Sequence, residues 1–314
     1  MAKPLVLISE SLARPTVEWL SERCRVMEIG VDNAGFDEAL SQAQGLIVRT
    51  YTIVDGSMLD RAPNLKVVGR AGVGLDNIDL QACADRSIRV VHTPHSNAMS
   101  VVEYTISMMM RALRPIHAIT SALNDNDWHA ARAAAITPGS VVGSQLGIIG
   151  LGYIGSRVAH AAHALGMNIV YNDLRTIPTD ETSGAAPGTL ETVLQTSRAV
   201  CIHVDGRVEN RGVIGSAEFK MMRPDVVFIN ASRGFVVDPD AAAEFARTNP
   251  QSTLILDVHE PEPIVAQSPL LGLENVILTP HIAAATVQAK TAMSWVVKDI
   301  WAVLDGREPE YPGI

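Results

Sequence analysis

The sequence predicts an α/β protein whose strands pair in parallel sheets covered by helices. Short apolar runs rich in β-branched residues alternate with segments of helical periodicity along almost the whole chain, a pattern typical of parallel sheets. The chain has 314 residues, 47% of them hydrophobic and 19% charged. This is enough apolar material for packed cores, and the length corresponds to about two domains.

The N-terminal third of the chain contains the first series of elements. Its predicted strands are Leu5–Ser9, Gly45–Thr50, Lys66–Gly69 and Arg89–His92, and its predicted helices include Pro15–Arg23 and Phe36–Gln42. Because helices come between strands, each connection is long enough to cross over and return the chain to a parallel neighbour.

A more apolar segment, Met99–Leu123, follows the first series. Valine, isoleucine and methionine side chains cover most of its faces, and a helix of this kind is buried in a core or in a subunit interface. Pro115 should kink or break this helix, since proline removes a backbone donor and clashes with the preceding turn. We expect a loop at Asn124–Asp127.

A second series of strands and helices begins at Leu146. Its predicted strands are Leu146–Ile149, Asn168–Asn172, Ala199–His203, Val226–Asn230, Leu254–Val258 and Val276–Thr279. Thr286–Leu304 is predicted to be a final helix, which Gly306 closes. Thr179–Gly188 is rich in turn-forming residues and is predicted to be a loop within this series.

Charge and cysteine usage disfavour several classes of function. The formal net charge of −9 opposes binding to nucleic acid or to an anionic membrane. No apolar run reaches the ~18 residues of a membrane span, and the first apolar stretch is too short for a signal peptide. Three widely spaced cysteines, Cys24, Cys83 and Cys201, are expected to be reduced thiols in a cytoplasmic protein.

A glycine-rich turn opens the second series. Gly150, Gly152 and Gly155 form the pattern G-x-G-x-x-G between the strand Leu146–Ile149 and a predicted helix, Ser156–Leu165. The first glycine permits a tight turn, the second lets the backbone approach a pyrophosphate, and the third allows close packing of helix on strand. Because a helix N-terminus also presents free N–H groups, the segment predicts a dinucleotide site.

An acidic residue after the next strand predicts which dinucleotide binds. Asp173 lies about 20 residues beyond the glycines, where a carboxylate accepts hydrogen bonds from ribose hydroxyls and repels a 2′-phosphate. The prediction is therefore NAD rather than NADP, with Arg175 partly offsetting the repulsion. The alternative is a turn that only packs a helix against a strand.

Three side chains with complementary chemistry follow predicted strands of the second series: Arg233, Glu262 and His281. Ligands of open α/β sheets bind beyond the carboxyl ends of the strands, so the three should converge there. Arginine suits a carboxylate and the reacting oxygen, and histidine exchanges the hydroxyl proton as a hydride leaves or returns. Glu262 would orient the imidazole and favour its charged form. The set predicts oxidation of a 2-hydroxy acid.

Each of these residues also has a simpler interpretation. An arginine after a strand is commonly a surface ion pair, and a Pro-His dipeptide is commonly a turn. The cluster of Asp257, His259, Glu260 and Glu262 has the composition of a metal site, but its spacing matches no tight ligand pattern. We predict no metal.

Taken together, the motifs resemble the D-isomer-specific 2-hydroxyacid dehydrogenase family, and its phosphoglycerate dehydrogenase-like branch most closely. The resemblance covers nearly the whole chain and combines several motifs in one order, which makes it specific. It rests on the glycine turn together with Gly69–Asp79, Ser96–Glu103, Asn230–Gly234, Asp257–Pro263 and Thr279–Ile282.

The resemblance implies two Rossmann-like, doubly wound parallel-sheet domains with a cleft between them. Residues 1–98 together with 286–314 would form the substrate-binding domain, and residues 99–285 the NAD-binding domain. Met99–Leu123 would be the crossover and dimerisation helix of a homodimer. The length leaves no room for the regulatory domain appended to longer phosphoglycerate dehydrogenases.

The resemblance also implies site residues, motif by motif. The catalytic residues would be Arg233, Glu262 and His281. The NAD-binding residues would be Gly150, Gly152, Tyr153, Ile154, Gly155, Asp173, His203, Ala231, Ser232, Asp257 and His281. The substrate-binding residues would be Arg49, Arg70, Val73, Gly74, Asn97 and Arg233, with the backbone N–H groups of Val73 and Gly74 on the substrate carboxylate.

Four positions depart from the family pattern. Tyr153 stands where a basic or polar residue usually lies beside the pyrophosphate, and Asp205–Gly206 replaces a usual Pro-Leu pair. Both changes bear on cofactor affinity. Pro94–Ser96 replaces a common Pro-Gly sequence and would reshape the substrate cleft, and His259 replaces a usual aromatic residue.

Arg49 and Arg70 follow strands of the first series and bear on the identity of the substrate. Two arginines beyond the one that holds the carboxylate would leave unbalanced positive charge unless a second anion binds or local acids neutralise it. Arginine suits the several oxygens of a phosphate or sulfonate. The alternative is that either arginine pairs with an acid such as Asp76 or Glu103 and only braces the cleft.

The sequence therefore predicts an NAD-dependent dehydrogenase for a 2-hydroxy acid with a second anionic group. Such a substrate is 3-phosphoglycerate-like, 3-sulfolactate-like or dicarboxylic. One alternative is an NAD(H)-sensing co-regulator or binding protein of the same fold. Another is a reductase of 2-oxo acids such as hydroxypyruvate or glyoxylate. A formate or phosphonate dehydrogenase fits less well, because the Val73–Gly74 loop and the Asp257–Glu262 spacing favour a hydroxy acid.

Overall fold

The computed structural model describes residues 3–116, 118–136 and 140–313. The chain divides into two compact units: unit 1 consists of Met1–Ala98 with Ala284–Ile314, and unit 2 of Met99–Ala283. The predicted domains divide the chain after residues 98 and 285. Each unit contains its own parallel sheet and its own apolar core.

Strands and helices alternate along the described chain. In chain order the strands are β1 Leu5–Ile8, β2 Arg25–Glu28, β3 Gly45–Val48, β4 Val67–Arg70, β5 Arg89–His92, β6 Gln145–Ile149, β7 Asn168–Asn172, β8 Ala186–Pro187, β9 Ala199–Ile202, β10 Val227–Asn230, β11 Thr253–Leu256 and β12 Val276–Leu278. The helices are α1 Arg14–Ser21, α2 Phe36–Gln42, α3 Gly56–Asp60, α4 Leu80–Asp85, α5 Ala98–Leu113, α6 Asp125–Ala134, α7 Tyr153–Ala164, α8 Leu190–Thr196, α9 Ser216–Met221, α10 Pro239–Thr248, α11 Val287–Ser294 and α12 Val297–Leu304. Every predicted strand is present, with ends displaced by two residues at most.

The sheet of unit 1 has the order β2–β1–β3–β4–β5, and every described pair in it is parallel. Helix α12 lies close against it, because a Cβ on Gly69 would lie only 2.8 Å from Cδ1 of Ile300. The sequence does not reveal β2, an edge strand in which two of the four residues are charged. Edge strands commonly carry charges, which removes the apolar run that marks the central strands.

The sheet of unit 2 has the order β12–β11–β10–β9–β6–β7–β8, again with parallel pairs. The chain first winds outward from β6 to β7 and β8, and then returns to place β9 on the other side of β6. Ligands of open α/β sheets bind at such a switch in strand order. The two sheets confirm the predicted class of doubly wound parallel α/β structure.

The predicted helix Met99–Leu123 is shorter in the structure. Helix α5 ends at Leu113, just before Pro115, while residue 117 lies outside the described part of the chain. The predicted loop at Asn124–Asp127 is wrong, because α6 begins there. The Asn124 side chain accepts a hydrogen bond from the Asp127 N–H at 2.9 Å. Asparagine and aspartate, which favour loops, are also the preferred residues at a helix N-terminus.

The predicted final helix, Thr286–Leu304, is two helices, α11 and α12. Between them the N–H groups of Trp295 and Val296 donate to carbonyls three residues back, which tightens the chain into a 3₁₀ turn. Trp295 there packs edge-on against Trp19, with ring centroids 6.1 Å apart. Among the described residues, no helix combines the length and the apolar character that crossing a bilayer requires.

Candidate active site

The glycine turn after β6 requires glycine at two positions. Gly150 has a φ of +90°, and a Cβ there would lie 2.7 Å from the carbonyl oxygen of His203. A Cβ on Gly155 would overlap the carbonyl of Gly150. Only glycine therefore lets α7 begin this close to the strand. The space around Gly152 is open, because a Cβ there would have no heavy atom within 4 Å.

Helix α7 begins at this open position without a side-chain cap, since Gly152 is its N-cap. Its first N–H groups suit a phosphate, because a helix N-terminus carries partial positive charge. The Arg157 guanidinium lies 3.3 Å from the ring centroid of Tyr153, the first residue of α7, so a positive charge is present beside the start of the helix. Ile154 packs partly into the core of unit 2. The turn fits the diphosphate of a dinucleotide.

Asp173 follows β7 and is held beside the glycine turn. One carboxylate oxygen accepts the Leu151 N–H at 2.8 Å, and the other accepts the backbone N–H and the Nε of Arg175 at 2.8 and 3.2 Å. Burial acts to raise the pKa of Asp173, but these hydrogen bonds outweigh it and hold the pKa below its usual range. The group is therefore an anion at neutral pH, fixed where the sequence predicts the ribose.

His203 follows β9, and its backbone N–H donates to the Ile149 carbonyl at 2.8 Å. Burial of the imidazole lowers the pKa of His203 to about 4, so the ring is neutral at pH 7. Its Nε2 is buried and has no hydrogen-bond partner within the described ranges. Buried polar atoms are nearly always paired, so a bound dinucleotide is a suitable source of the missing partner.

The Arg233 loop follows β10 and is shaped by one asparagine. The Asn230 amide oxygen accepts from the N–H and the hydroxyl of Ser232, at 3.0 and 2.9 Å, and its amide nitrogen donates to the Arg233 carbonyl at 2.9 Å. Ala231 lies between them. The Arg233 guanidinium in turn donates to the Ser232 carbonyl at 2.8 Å. The loop that carries Arg233 thus begins at the carboxyl end of β10, and the convergence of its guanidinium with Glu262 and His281 stays a prediction.

Two contacts without any local sequence signal hold the loop after β11. A Cβ on Gly234 would overlap the backbone of His259, so the loops after β10 and β11 pack backbone against backbone. Arg211 donates to both carboxylate oxygens of Glu260, at 2.6 and 2.9 Å. The Arg211 guanidinium also lies 5.0 Å from the ring centroid of Phe235. These contacts fix the segment that carries Glu262.

Asp257 is completely buried at the end of β11 and binds the segment that carries His281. One oxygen accepts the Thr279 hydroxyl at 2.6 Å and the Ile282 N–H at 2.7 Å, and the other accepts the Ala283 N–H at 2.8 Å. The His281 N–H donates to the Asp257 carbonyl at 2.8 Å. Asp257 thus positions the histidine, and its contact with NAD stays a prediction.

The carboxylate of Glu262 binds the imidazole of His281, with Oε2 2.9 Å from Nδ1. The other oxygen accepts the His259 N–H at 3.0 Å. Burial acts to raise the pKa of Glu262, but these two hydrogen bonds outweigh it and lower the pKa. The ionised carboxylate requires a proton on Nδ1, which leaves Nε2 of the imidazole for exchange with a ligand.

The backbone around His281 is unusual for a histidine. Its φ of +55° lies in the left-handed region, which costs a non-glycine residue about 1–3 kcal/mol. The turn is secured by the Thr279 carbonyl, which accepts the His281 N–H at 3.0 Å and Nε2 of His259 at 2.9 Å. His259, a departure from the family pattern, therefore contributes to the position of the His281 imidazole, whose catalytic role stays a prediction.

The acidic and imidazole side chains near β11 are engaged by separate partners, with Asp257 on backbone N–H groups, Glu260 on an arginine and Glu262 on His281. No group of three or more histidine, cysteine, aspartate or glutamate side chains in the described ranges has an arrangement that would hold a metal ion.

Arg49 belongs to unit 1 and lies in a loop that one carboxylate organises. Glu10 accepts the backbone N–H groups of Arg49, Thr50, Tyr51 and Thr52 at 3.0 to 3.3 Å. Burial acts to raise the pKa of Glu10, but these donors outweigh it and lower the pKa. The Arg49 guanidinium donates to the Ser11 carbonyl at 3.2 Å, and not to the acids that the sequence suggested.

The other predicted substrate residues of unit 1 lie at the ends of β4 and β5. The Arg70 guanidinium occupies the place where a side chain on Gly72 would be. The turn formed by Gly72, Val73 and Gly74 follows directly. The amide oxygen of Asn97 is buried and has no hydrogen-bond partner in the described part of the chain. An acceptor in that position suits a hydroxyl or amide donor on a ligand.

Comparison with known proteins supports the dinucleotide site. Residues 106–283 match the family model described as D-isomer specific 2-hydroxyacid dehydrogenase, NAD binding domain. The chain is 32% identical over 297 residues to a D-3-phosphoglycerate dehydrogenase of Archaeoglobus fulgidus, covering 94% of this chain and 56% of the relative. It is 34% identical over 300 residues to an (S)-sulfolactate dehydrogenase of Chromohalobacter salexigens, and this match covers 94% of this chain and 96% of the relative. The chain spans little more than half the length of the phosphoglycerate dehydrogenases that it matches.

Solved structures share the fold over nearly the whole chain. A protein from Thermus thermophilus superposes with a TM-score of 0.85 at 28% identity, covering 99% of this chain and all of the other. A D-lactate dehydrogenase from Aquifex aeolicus, crystallised with NAD and lactic acid, superposes with a TM-score of 0.81 at 26% identity, covering 96% of both chains. The agreement extends over both units.

We predict that Asp173 makes the protein prefer NADH to NADPH. A carboxylate beside the 2′-phosphate of NADPH should cost about 1–3 kcal/mol of binding free energy, about tenfold to more than a hundredfold in Kd. Asp173→Ala should narrow the preference, because it removes the repulsion and frees Arg175. Fluorescence titration with each nucleotide measures the ratio, and Asp180→Ala, an exposed acid, is the control. Equal Kd values in the unmutated protein would refute the prediction.

Proposed function

Because the chain belongs to the D-isomer-specific 2-hydroxyacid dehydrogenase family, we propose that it interconverts a 2-hydroxy acid and the corresponding 2-oxo acid. The observation that carries the proposal is the Glu262–His281 pair, whose carboxylate and imidazole are 2.9 Å apart beyond the carboxyl ends of β11 and β12. An imidazole with one nitrogen bound to a carboxylate and the other left for a ligand is suited to exchange a proton with a substrate hydroxyl.

Each residue of the site has a role in this reaction. The glycine turn and Asp173 would hold NAD, which would supply the acceptor for the hydride on C2 of the hydroxy acid. Nε2 of His281 accepts the hydroxyl proton during oxidation and returns it during reduction, and the charge of Glu262 stabilises the resulting imidazolium. Arg233 would bind the substrate carboxylate and polarise the oxygen on C2, because a guanidinium offers parallel donors to both.

We also propose that the substrate carries a second anionic group. Arg49 supports this, because its backbone is fixed by Glu10 while its guanidinium is engaged by a carbonyl and not by an acid. Arg70 adds a further positive charge next to the turn at residues 72–74. A 3-phospho, 3-sulfo or dicarboxylic 2-hydroxy acid would offer a second anion of the kind that a guanidinium binds. The relatives named as phosphoglycerate and sulfolactate dehydrogenases act on acids of this kind.

We infer that the protein is a cytoplasmic homodimer. Its three cysteines are free and buried, as is usual in a reducing compartment. None of the ten residues of α6 is buried, and large apolar side chains lie exposed on either side of it, with Ile116 at 88% and Ile136 at 79%. A second copy of this segment is a suitable cover for these side chains.

Sedimentation equilibrium of the purified protein should give a mass of twice 33.6 kDa. A mass of 33.6 kDa would contradict the inference of a homodimer.

The decisive variant for the proposed function is His281→Asn. It should lower kcat by about 10²–10⁴-fold, because it removes the group that exchanges the proton, while leaving the Kd of NADH nearly unchanged. His160→Asn, which alters an exposed histidine, should have no effect. An NAD(H)-sensing protein without enzymatic activity would instead bind NADH and show no turnover even in its unmutated form.

Glu262→Gln tests the coupling within the pair. Since Glu262 carries a negative charge that favours the imidazolium, its removal should move the midpoint of the pH dependence of kcat/KM to lower pH, with a smaller loss of kcat than in His281→Asn. An unchanged pH–rate profile in this variant would show that the carboxylate does not act through the histidine.

The second-anion proposal predicts a substrate order. The protein should turn over 3-phosphoglycerate, 3-sulfolactate or malate better than lactate or glycerate. Arg49→Ala and Arg70→Ala should each raise KM for the preferred dianion and spare the monoacids, whereas Arg14→Ala, an exposed arginine of the same unit, should change neither. Faster turnover of the simple monoacids than of every dianionic analogue would refute it.

A further inference from the structure

The end of β5 holds the turn at residues 72–74 by its carbonyl groups. The Thr93 N–H and hydroxyl donate to the Gly72 carbonyl oxygen at 3.0 and 3.2 Å. Nδ1 of His92 lies 2.9 Å from the Val73 carbonyl oxygen. A carbonyl oxygen only accepts hydrogen bonds, so Nδ1 of His92 carries the proton and donates it. Two successive peptide groups are therefore anchored from the same side.

Peptide geometry then fixes the direction of the opposite atoms. In a planar trans peptide the N–H points away from the C=O. With the carbonyls of Gly72 and Val73 directed at β5, the N–H groups of Val73 and Gly74 both point away from it. Neither N–H donates to any group in residues 3–116, 118–136 and 140–313. Successive parallel N–H groups of this kind form an anion-binding concavity.

The charge beside the turn agrees with an anion. The Arg70 guanidinium lies against Gly72, in the place of the side chain that glycine lacks. A side chain at position 72 would displace the guanidinium from the turn. This guanidinium makes the surroundings of the turn positive, which agrees with an anion near the two parallel N–H groups.

We propose that His92 is a positioning residue for the substrate carboxylate. It does not touch the substrate, and acts by holding the Val73–Gly74 peptide in the orientation that presents both N–H groups. The identification of the anion as the substrate carboxylate rests on the proposed function, whereas the anion site itself does not. The alternative is that His92 only braces the fold of unit 1.

The test measures binding of oxamate, a carboxylate mimic of a 2-oxo acid, to the NADH-loaded full-length protein. His92→Ala and His92→Gln both remove the donor at the Nδ1 position. Alanine has no side-chain donor, and the glutamine amide reaches the place of Nε2 instead. His92→Asn retains a donor near Nδ1. We expect His92→Gln and His92→Ala to raise the oxamate Kd by about tenfold, and His92→Asn by less than about threefold. His160→Asn is the matched control.

Two further readouts separate positioning from simple bracing. The Kd of NADH should be the same in all variants, and with a 2-oxo acid substrate KM should rise while kcat at saturation is nearly retained. A bracing role would instead lower the thermal midpoint and would not distinguish Asn from Gln. Retention of the unmutated oxamate Kd in His92→Gln, or equal weakening in His92→Asn and His92→Gln, would overturn the proposal.

The outcomes also distinguish this proposal from the proposed function. An unmutated protein that binds oxamate with the expected order of variants, but oxidises no 2-hydroxy acid, would refute the function and support His92 as the residue that positions the anion-binding N–H groups. An unmutated protein that binds NADH and no oxamate would overturn the positioning role.

Discussion

The candidate active site depends on the hydrogen bonds that the buried carboxylate of Asp257 accepts. A buried carboxyl group is stable only when hydrogen bonds replace its hydration, and Asp257 accepts three, all from the segment after β12. The end of β11 is thereby tied to the end of β12. This tie allows His281 to adopt a left-handed backbone conformation that it would not hold on its own, and it brings the imidazole against Glu262.

Backbone contacts also fix the position of Glu262. Gly234 lets the loop that carries Arg233 touch the backbone of His259, and the His259 N–H fixes one oxygen of Glu262. Because both oxygens of Glu262 are then bound, the carboxylate cannot rotate away from His281. Nε2 of His281, the nitrogen that we propose exchanges the proton, is thereby held in one direction, which is the preorganisation that general acid–base catalysis requires.

Local motifs explain which parts of this arrangement the sequence predicts. The glycine turn, Asp173 and the three side chains proposed to be catalytic each follow a strand in a short recognisable segment, so their places in the fold can be predicted without the structure. The sequence does not predict α6, because Asn124 suits a loop and a helix cap equally well. It does not predict β2 either, because β2 is a charged edge strand. The Arg211–Glu260 and Glu10 contacts join residues about 40 to 50 positions apart, and no local pattern indicates such pairs.

Transfer of deuterium is the most direct test of the central claim that this site moves a hydride between NADH and C2 of a 2-oxo acid. The protein would be incubated with NADH that carries deuterium at both C4 positions and a panel of 2-oxo acids, including phosphorylated and sulfonated ones, and the products analysed by mass spectrometry. The account predicts a 2-hydroxy acid with deuterium bound to C2. A product without deuterium, or no product from any 2-oxo acid although NADH binds, would contradict it.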